Sequence, residues 1–277
     1  MLQPSHTEIP MGQSIILEAQ LRVPRGSPAE YLLLPFVNQR RWGSHERPDA
    51  DGKAVFLLPL PNPGIAHIQV IAVKADRDDW LGLQDVELLL AGRLMPQADI
   101  ISGRLDVTVT WRNFPPRQPC GSLFGMQWEP WFNGGAKRWG TAQAVPVMGF
   151  YDSYNRDVTR QHILWFMELG VDFILPDWSN HIWGCKHWDE RGDWTNAINH
   201  ATQLALEVLA EMREEGLDVP KMVIMPGISN GPPAAMQALN EELNWIYHNY
   251  VRNPRFAGLF LEYEGKPLVV VLDTGAV

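Results

Sequence analysis

Three short stretches between residues 127 and 184 set carboxylates beside flat rings. They are Gln127-Trp128-Glu129-Pro130-Trp131-Phe132, Gly149-Phe150-Tyr151-Asp152-Ser153-Tyr154, and Pro176-Asp177-Trp178-Ser179-Asn180-His181-Ile182-Trp183-Gly184. A ring covers the apolar C–H face of a sugar while an acid accepts from its hydroxyls, so the pairing suits a saccharide. Trp128, Glu129, Trp131, Tyr151, Asp152, Asp177, Trp178 and Trp183 are therefore the candidate substrate-binding residues. Cleaving a glycosidic bond takes two flanking carboxyl groups, one of them often with a raised pKa. Glu129, between Trp128 and Pro130-Trp131, is the carboxyl expected to lose most water, which would suit a proton donor; otherwise it accepts hydrogen bonds from hydroxyls or a loop. Asp152 reads as a cap for the following helix or as a holder of a hydroxyl. Asp177, directly after Pro176, is the best ligand-facing carboxylate by position. No residue is assigned a catalytic role from these patterns.

Other chemistries find little support. His181, Cys185 and His187 match no closed zinc spacing, so no metal is expected. Neither a Gly-rich phosphate loop nor a Gly-x-Ser-x-Gly elbow occurs, and no cofactor is expected. The net charge of −9 disfavours nucleic acid and anionic membrane surfaces, which need clustered Lys and Arg. Cys120 and Cys185 are the only cysteines and are expected as free, buried thiols. No run approaches the ~20 apolar residues of a membrane span. The start, Met1-Leu2-Gln3-Pro4-Ser5-His6-Thr7-Glu8, shows no signal peptide. The expected partner is an oligosaccharide or polysaccharide. The expected state is soluble, with secretion or a periplasmic place open for a full-length form.

The elements that carry these residues fall into two kinds. From Ser14 to Val109, short apolar segments alternate with Pro, Gly and Asp turns, and predict an immunoglobulin-like β-sandwich over residues 1–110. Strands are expected at 15–23, 30–37, 54–60, 66–73, 85–90 and 105–109. Trp42 and Trp80 stand beside polar loops there. Residues 111–120 hold three prolines and read as a stiff linker. From 121 to 277, strand and helix signals alternate. Strands are expected at 123–128, 171–176, 221–225 and 267–272, with helices at 158–169, 195–215 and 233–251. Such alternation implies a parallel sheet with right-handed crossovers. The predicted class is thus multidomain β plus α/β: a β-sandwich, then about four β/α units of a (β/α)8 TIM-type barrel. Sites in barrels lie just past the carboxyl ends of strands, where the first and third aromatic-acidic stretches are expected; the second precedes a helix.

Several of these segments also resemble a known family. Gln127-Trp128-Glu129-Pro130-Trp131-Phe132 is similar to the Tyr-Tyr-Pro-Trp-Tyr opening of glycoside hydrolase family 99, the endo-α-mannosidases and their WbsX-like bacterial relatives. Gly149-Phe150-Tyr151-Asp152-Ser153-Tyr154-Asn155 resembles the group's Gly-x-Tyr-x-Ser-x-Asp segment, with Asn155 in place of Asp. His162 with Trp165-Phe166-Met167 and Gly170-Val171-Asp172 resembles its helix and strand, Met167 falling one position late. Asp177-Trp178 to Trp183-Gly184 resembles its Ser-Trp-Trp-Gly loop, and Glu264-Gly265-Lys266-Pro267-Leu268-Val269-Val270-Val271 its Gly-Lys-Pro-Val strand. The resemblance implies the front half of a barrel that acts on α-mannoside-type or related polysaccharides. In the family the catalytic glutamates stand late, in a Glu-x-x-Glu segment; Glu262 and Glu264 have the wrong spacing for it. The resemblance therefore implies that this stretch carries substrate contacts and not the catalytic pair. A non-catalytic carbohydrate-binding protein and a WbsX-like glycosyltransferase are the alternative expectations.

Overall fold

The structure is a computed structural model describing residues 1–74, 98–115, 121–130, 132, 139, 143–179, 197–226 and 236–271. Trp131, Trp183, Asp273, both cysteines, His181, His187, Trp80 and the expected strand at 85–90 lie outside these residues. The chain divides into two units. The first is Met1–Arg112 with Gly134–Gln161, and the second is Asn113–Asn133 with His162–Val277.

The first unit is built on two sheets. β1 (Leu2–Pro4), β3 (Ser14–Gln20) and β6 (Lys53–Pro59) form a three-stranded antiparallel sheet. The other sheet has the order β2 (Glu8–Pro10), β9 (Leu105–Thr110), β7 (Gly64–Lys74), β4 (Tyr31–Val37), β5 (Arg40–Arg41), with β8 (Ile100–Ile101) also on β7. β2 runs parallel to β9, and the remaining pairs are antiparallel. Side chains alternate between strand faces, so β3 buries Ile15, Leu17 and Ala19 while β6 buries Ala54, Phe56 and Leu58. Leu17 lies opposite Phe56, and the intervening pair Ile16 and Leu57 faces water. In the second sheet, Leu34, Phe36, Ile71 and Val73 form a buried cluster with Leu32 and Ala98 against it.

Turn chemistry fixes the strand ends. Ser27 accepts from the Ala29 N–H at 3.3 Å and Glu30 accepts from the Ser27 N–H at 3.1 Å, a reciprocal cap just before β4. Asp49 Oδ1 accepts from the N–H groups of Asp51 and Lys53 and folds the turn into β6.

The second unit contains parallel strands joined through helices. β10 (Gly125–Trp128), β11 (Phe173–Trp178) and β12 (Lys221–Met222) are neighbours in that order, and β13 (Met225–Pro226) also pairs with β11. Helix α1 (Arg156–Glu168) lies between β10 and β11 in sequence, and α2 (Ala197–Glu214) between β11 and β12. α3 (Met236–Ile246) follows β13 and passes into one π turn at Tyr247–Val251. The buried face of α2 carries Ile198, Ala201, Ala205, Val208, Leu209 and Met212, the stripe its apolar spacing dictates.

The expected strand at 267–272 takes another form. β15 (Lys266–Pro267) pairs antiparallel with β14 (Glu262–Tyr263) in a hairpin. Glu264 and Gly265 sit at φ 49° and 72° and turn the chain back on itself. Phe260 is the residue that bridges Met222 in parallel: the Met222 N–H donates to the Leu259 carbonyl at 2.8 Å, and the Leu261 N–H to the Met222 carbonyl at 3.1 Å. The Val270 N–H reaches the Ile224 carbonyl at 3.4 Å. The chain is thus a β-rich, multi-sheet fold with three described α-helices.

Candidate functional site

In the second unit, the parallel register sets Gln127 opposite Leu175 and Trp128 opposite Pro176, so β10 and β11 end side by side. Just past those ends, the Gln127 amide nitrogen donates to Asp177 Oδ2 at 2.8 Å and to Glu129 Oε1 at 3.2 Å. The second Asp177 oxygen accepts from the Ser179 N–H at 2.7 Å. Asp177 is 6% exposed, and its charge is thus met by two donors. One amide links two acids at the carboxyl edge of a parallel sheet, a place where ligands are bound in open and closed α/β sheets alike. The expected desolvation of Glu129 is corrected here: its residue surface is open to water, and Asp177 is the enclosed acid. Among the described residues, no group of three or more His, Cys, Asp and Glu could hold a metal ion.

The rings of this unit are more enclosed than a stacking platform requires. Trp178 is 1% exposed; its Nε1 donates to Thr202 Oγ1 at 2.9 Å, and its ring meets Tyr250 edge-on at 6.3 Å. Thr202 Oγ1 in turn donates to the Ile198 carbonyl at 2.7 Å. This tie to α2 makes Trp178 a packing anchor and corrects its reading as a ligand-stacking ring. Trp128 is 8% exposed, with His162 at right angles to it at 6.3 Å. Burial pulls His162 down to about 4, so it is neutral at pH 7.

Tyr151 and Asp152 stand in the first unit, on a cavity of about 390 Å³ that Arg40, Arg41, Trp42, Phe150 and Tyr154 also line. The Tyr151 carbonyl accepts from Trp139 Nε1 at 2.8 Å, and the two rings meet edge-on at 4.9 Å. Burial pushes the Tyr151 phenol up to about 12, which keeps it a hydrogen-bond donor. Asp152 Oδ1 accepts from the Tyr154 N–H at 2.8 Å and shapes the turn before α1. The helix is capped by Asn155, whose Oδ1 accepts from the Asp157 N–H at 3.0 Å. Asp152 is therefore a turn former on the cavity, and the cap falls three residues later.

The candidate residues thus gather in two places: Glu129 and Asp177, with Trp128 and Trp178 buried on the same strands, and Tyr151 with Asp152 on the cavity of the first unit. Trp131 and Trp183 lie outside the described residues. Gln127 was not singled out by sequence; its signal is its place two residues before Glu129 on the same strand end. Arg41 was also not singled out, and an Arg-Arg pair beside Trp42 gives no pattern that marks one of the two as enclosed.

No family model matches the chain, and no curated protein matches it. Among solved structures, a "putative glycoside hydrolase" from Bacteroides vulgatus ATCC 8482 aligns over 92% of this chain at 10% identity, with a TM-score of 0.24. The chain spans about half (48%) of that structure's length. Superposition at this level fixes neither fold nor chemistry.

Proposed function

We propose that this chain is part of a carbohydrate-active protein, a glycoside hydrolase acting on α-mannoside-type or related polysaccharides. The observation that carries the reading is the Gln127 amide, which holds Glu129 and Asp177 together past the ends of two adjacent parallel strands. Three hydrogen-bonding groups so placed accept from and donate to neighbouring hydroxyls of one sugar. In this reading Glu129, Gln127 and Asp177 bind saccharide, and the acid and nucleophile are not among the residues named here.

The same proposal extends to architecture and domain division. Strands β10, β11 and β12 lie in sequence order with α1 and α2 between them, which supports the first units of a (β/α)8 barrel within 121–277. In the first unit β3 and β6 share one sheet while β4, β7 and β9 share the other. The B and E strands and the C, F and G strands of immunoglobulin domains divide the same way, which supports an immunoglobulin-like sandwich within 1–110.

A second reading, non-catalytic saccharide binding, is favoured by the ring-lined cavity at Tyr151. Calorimetry and reducing-end release on α-linked manno-oligosaccharides test the two together. Binding with release of reducing ends supports a hydrolase, binding without release supports the second reading, and no binding of any oligosaccharide contradicts both.

A further inference from the structure

Arg41 on the first-unit cavity is a half-buried cation with no carboxylate within ion-pair distance among the described residues. Its one described hydrogen bond runs from Nη1 to the Pro35 carbonyl at 3.0 Å. Burial lowers its pKa to about 9, so it stays charged at pH 7 without a counter-ion among the described residues. A charge taken out of water without a partner is costly, and a partner that arrives with a ligand removes that cost. The neighbouring His45 adds no anion; burial and Arg41 lower its pKa and favour its neutral form. Arg40 is mostly exposed and only loosely faces Asp157 at 4.0 Å.

The chain holds these arginines in place at a backbone cost. Asn38 and Gln39, immediately before Arg40, take φ of 49° and 66°, a left-handed pair that side chains disfavour. Asn38 is tied to His67 twice, its N–H to the His67 carbonyl at 2.8 Å and its Oδ1 from the His67 N–H at 2.9 Å. The tight hairpin delivers Arg40 and Arg41 to a wall that faces Phe150, Tyr151 and Tyr154. Asp152 Oδ1 is occupied by the Tyr154 N–H, and Oδ2 has no described partner.

We propose that this cavity binds a saccharide bearing a carboxylate, a uronate unit, with Arg41 pairing the acid group and Phe150, Tyr151 and Tyr154 covering the sugar ring. The planar guanidinium matches a carboxylate through two parallel hydrogen bonds. Rings supply the apolar face, and the spare Asp152 oxygen accepts a hydroxyl while repelling a second acid beside it. A singly acidic sugar therefore fits better than a polyanion. The proposal rests on the carbohydrate reading above and adds the charge class of the sugar.

The test is isothermal titration of the full chain with galacturonate and with manno-oligosaccharides bearing a single uronate unit, beside neutral manno-oligosaccharides, acetate and phosphate. The expected result is uronate binding that weakens in high salt and falls tenfold or more in Arg41→Gln, with Arg41→Lys in between and neutral-sugar binding unchanged. If Arg41→Gln lowers the melting temperature too far to titrate, Arg40→Gln decides. It should weaken uronate binding a few-fold in low salt and not in high salt. Neutral sugars binding as well as uronates, with Arg41→Gln and Arg40→Gln silent on both, overturns this inference and leaves the carbohydrate reading standing. Acetate or phosphate binding as tightly as uronate overturns the saccharide part. No saccharide binding at all overturns the carbohydrate reading itself.

Discussion

The side-chain amide of Gln127 donates to the Asp177 carboxylate at 2.8 Å, and in doing so ties the end of β10 to the end of β11. Asp177 is nearly enclosed, so this bond does more than a surface contact would. Gln127→Leu leaves Asp177 with the Ser179 N–H as its described donor, and the expected loss is about 1–3 kcal/mol of stability. Gln127→Glu sets a third acid between two others, and at pH 7 it is expected to lose more. Denaturant melts at pH 7 and at pH 4 check this: Gln127→Glu should recover toward Gln127→Leu at the lower pH, where the introduced carboxyl takes up a proton and loses its charge.

Gly43 and Gly149 let two loop segments of the first unit meet backbone to backbone. The Gly43 N–H donates to the Met148 carbonyl at 3.1 Å, and a Cβ on Gly149 would overlap the Gly43 carbonyl. Gly149 also sits at φ 73°. Gly149→Ala should lose more than the ~1–2 kcal/mol that left-handed backbone alone costs a side chain. Gly170 has the same φ of 73° with open space around its Cβ position, so Gly170→Ala should lose only the backbone part. Thermal melts of both, each read against the wild type, check the difference; equal losses would contradict the packing argument.

The Trp178–Thr202 bond predicts a stability effect separate from ligand binding. Thr202→Val keeps the shape of the side chain and removes the acceptor of the buried indole N–H. The expected loss is about 1–3 kcal/mol, with affinity for saccharide unchanged. Titration and chemical denaturation of the same variant separate the two quantities.

Two buried groups give the second unit opposite pH slopes. Burial raises Glu242 to about 8 from 4.5 and lowers His162 to about 4 from 6.5. Between 4.5 and 8 the unfolded chain has released the Glu242 proton while the folded chain keeps it, so stability falls as pH rises through that window. Between 6.5 and 4 the unfolded chain binds a proton at His162 and the folded chain does not, so stability falls as pH drops there. The slopes oppose each other from 4.5 to 6.5, and only Glu242 acts from 6.5 to 8. Glu242→Gln should flatten the fall between pH 6.5 and 8, where one group contributes at most about 1.4 kcal/mol per pH unit. Chemical melts across pH 4–9 check both limbs.

Long periodic elements were legible in the sequence, and short or enclosed features were not. The apolar stripe of α2 and the alternation in β3 and β6 announced both the elements and their buried faces. β1, β2 and β5 have two or three residues each, too few for a period to show. The turn Glu264-Gly265-Lys266 is legible between two apolar runs, but the run after it, expected as a strand to 272, pairs as a strand only at Lys266–Pro267. Asn155 and Asp152 are both good caps, and only the turn geometry chose Asn155. Trp178 stands among the candidate stacking rings because rings cluster at the expected strand ends. In a parallel sheet covered by helices both strand faces are enclosed, so position along the strand does not tell a ligand ring from a core ring.

Titration calorimetry of Asp177→Ala and Glu129→Ala with neutral manno-oligosaccharides, beside the unaltered chain, bears most directly on the acid pair. The account predicts measurable binding by the unaltered chain and a loss of about tenfold or more in each variant, the size expected for one hydrogen bond to a charged group. Equal affinity in all three proteins, or no heat of binding in any, would contradict it.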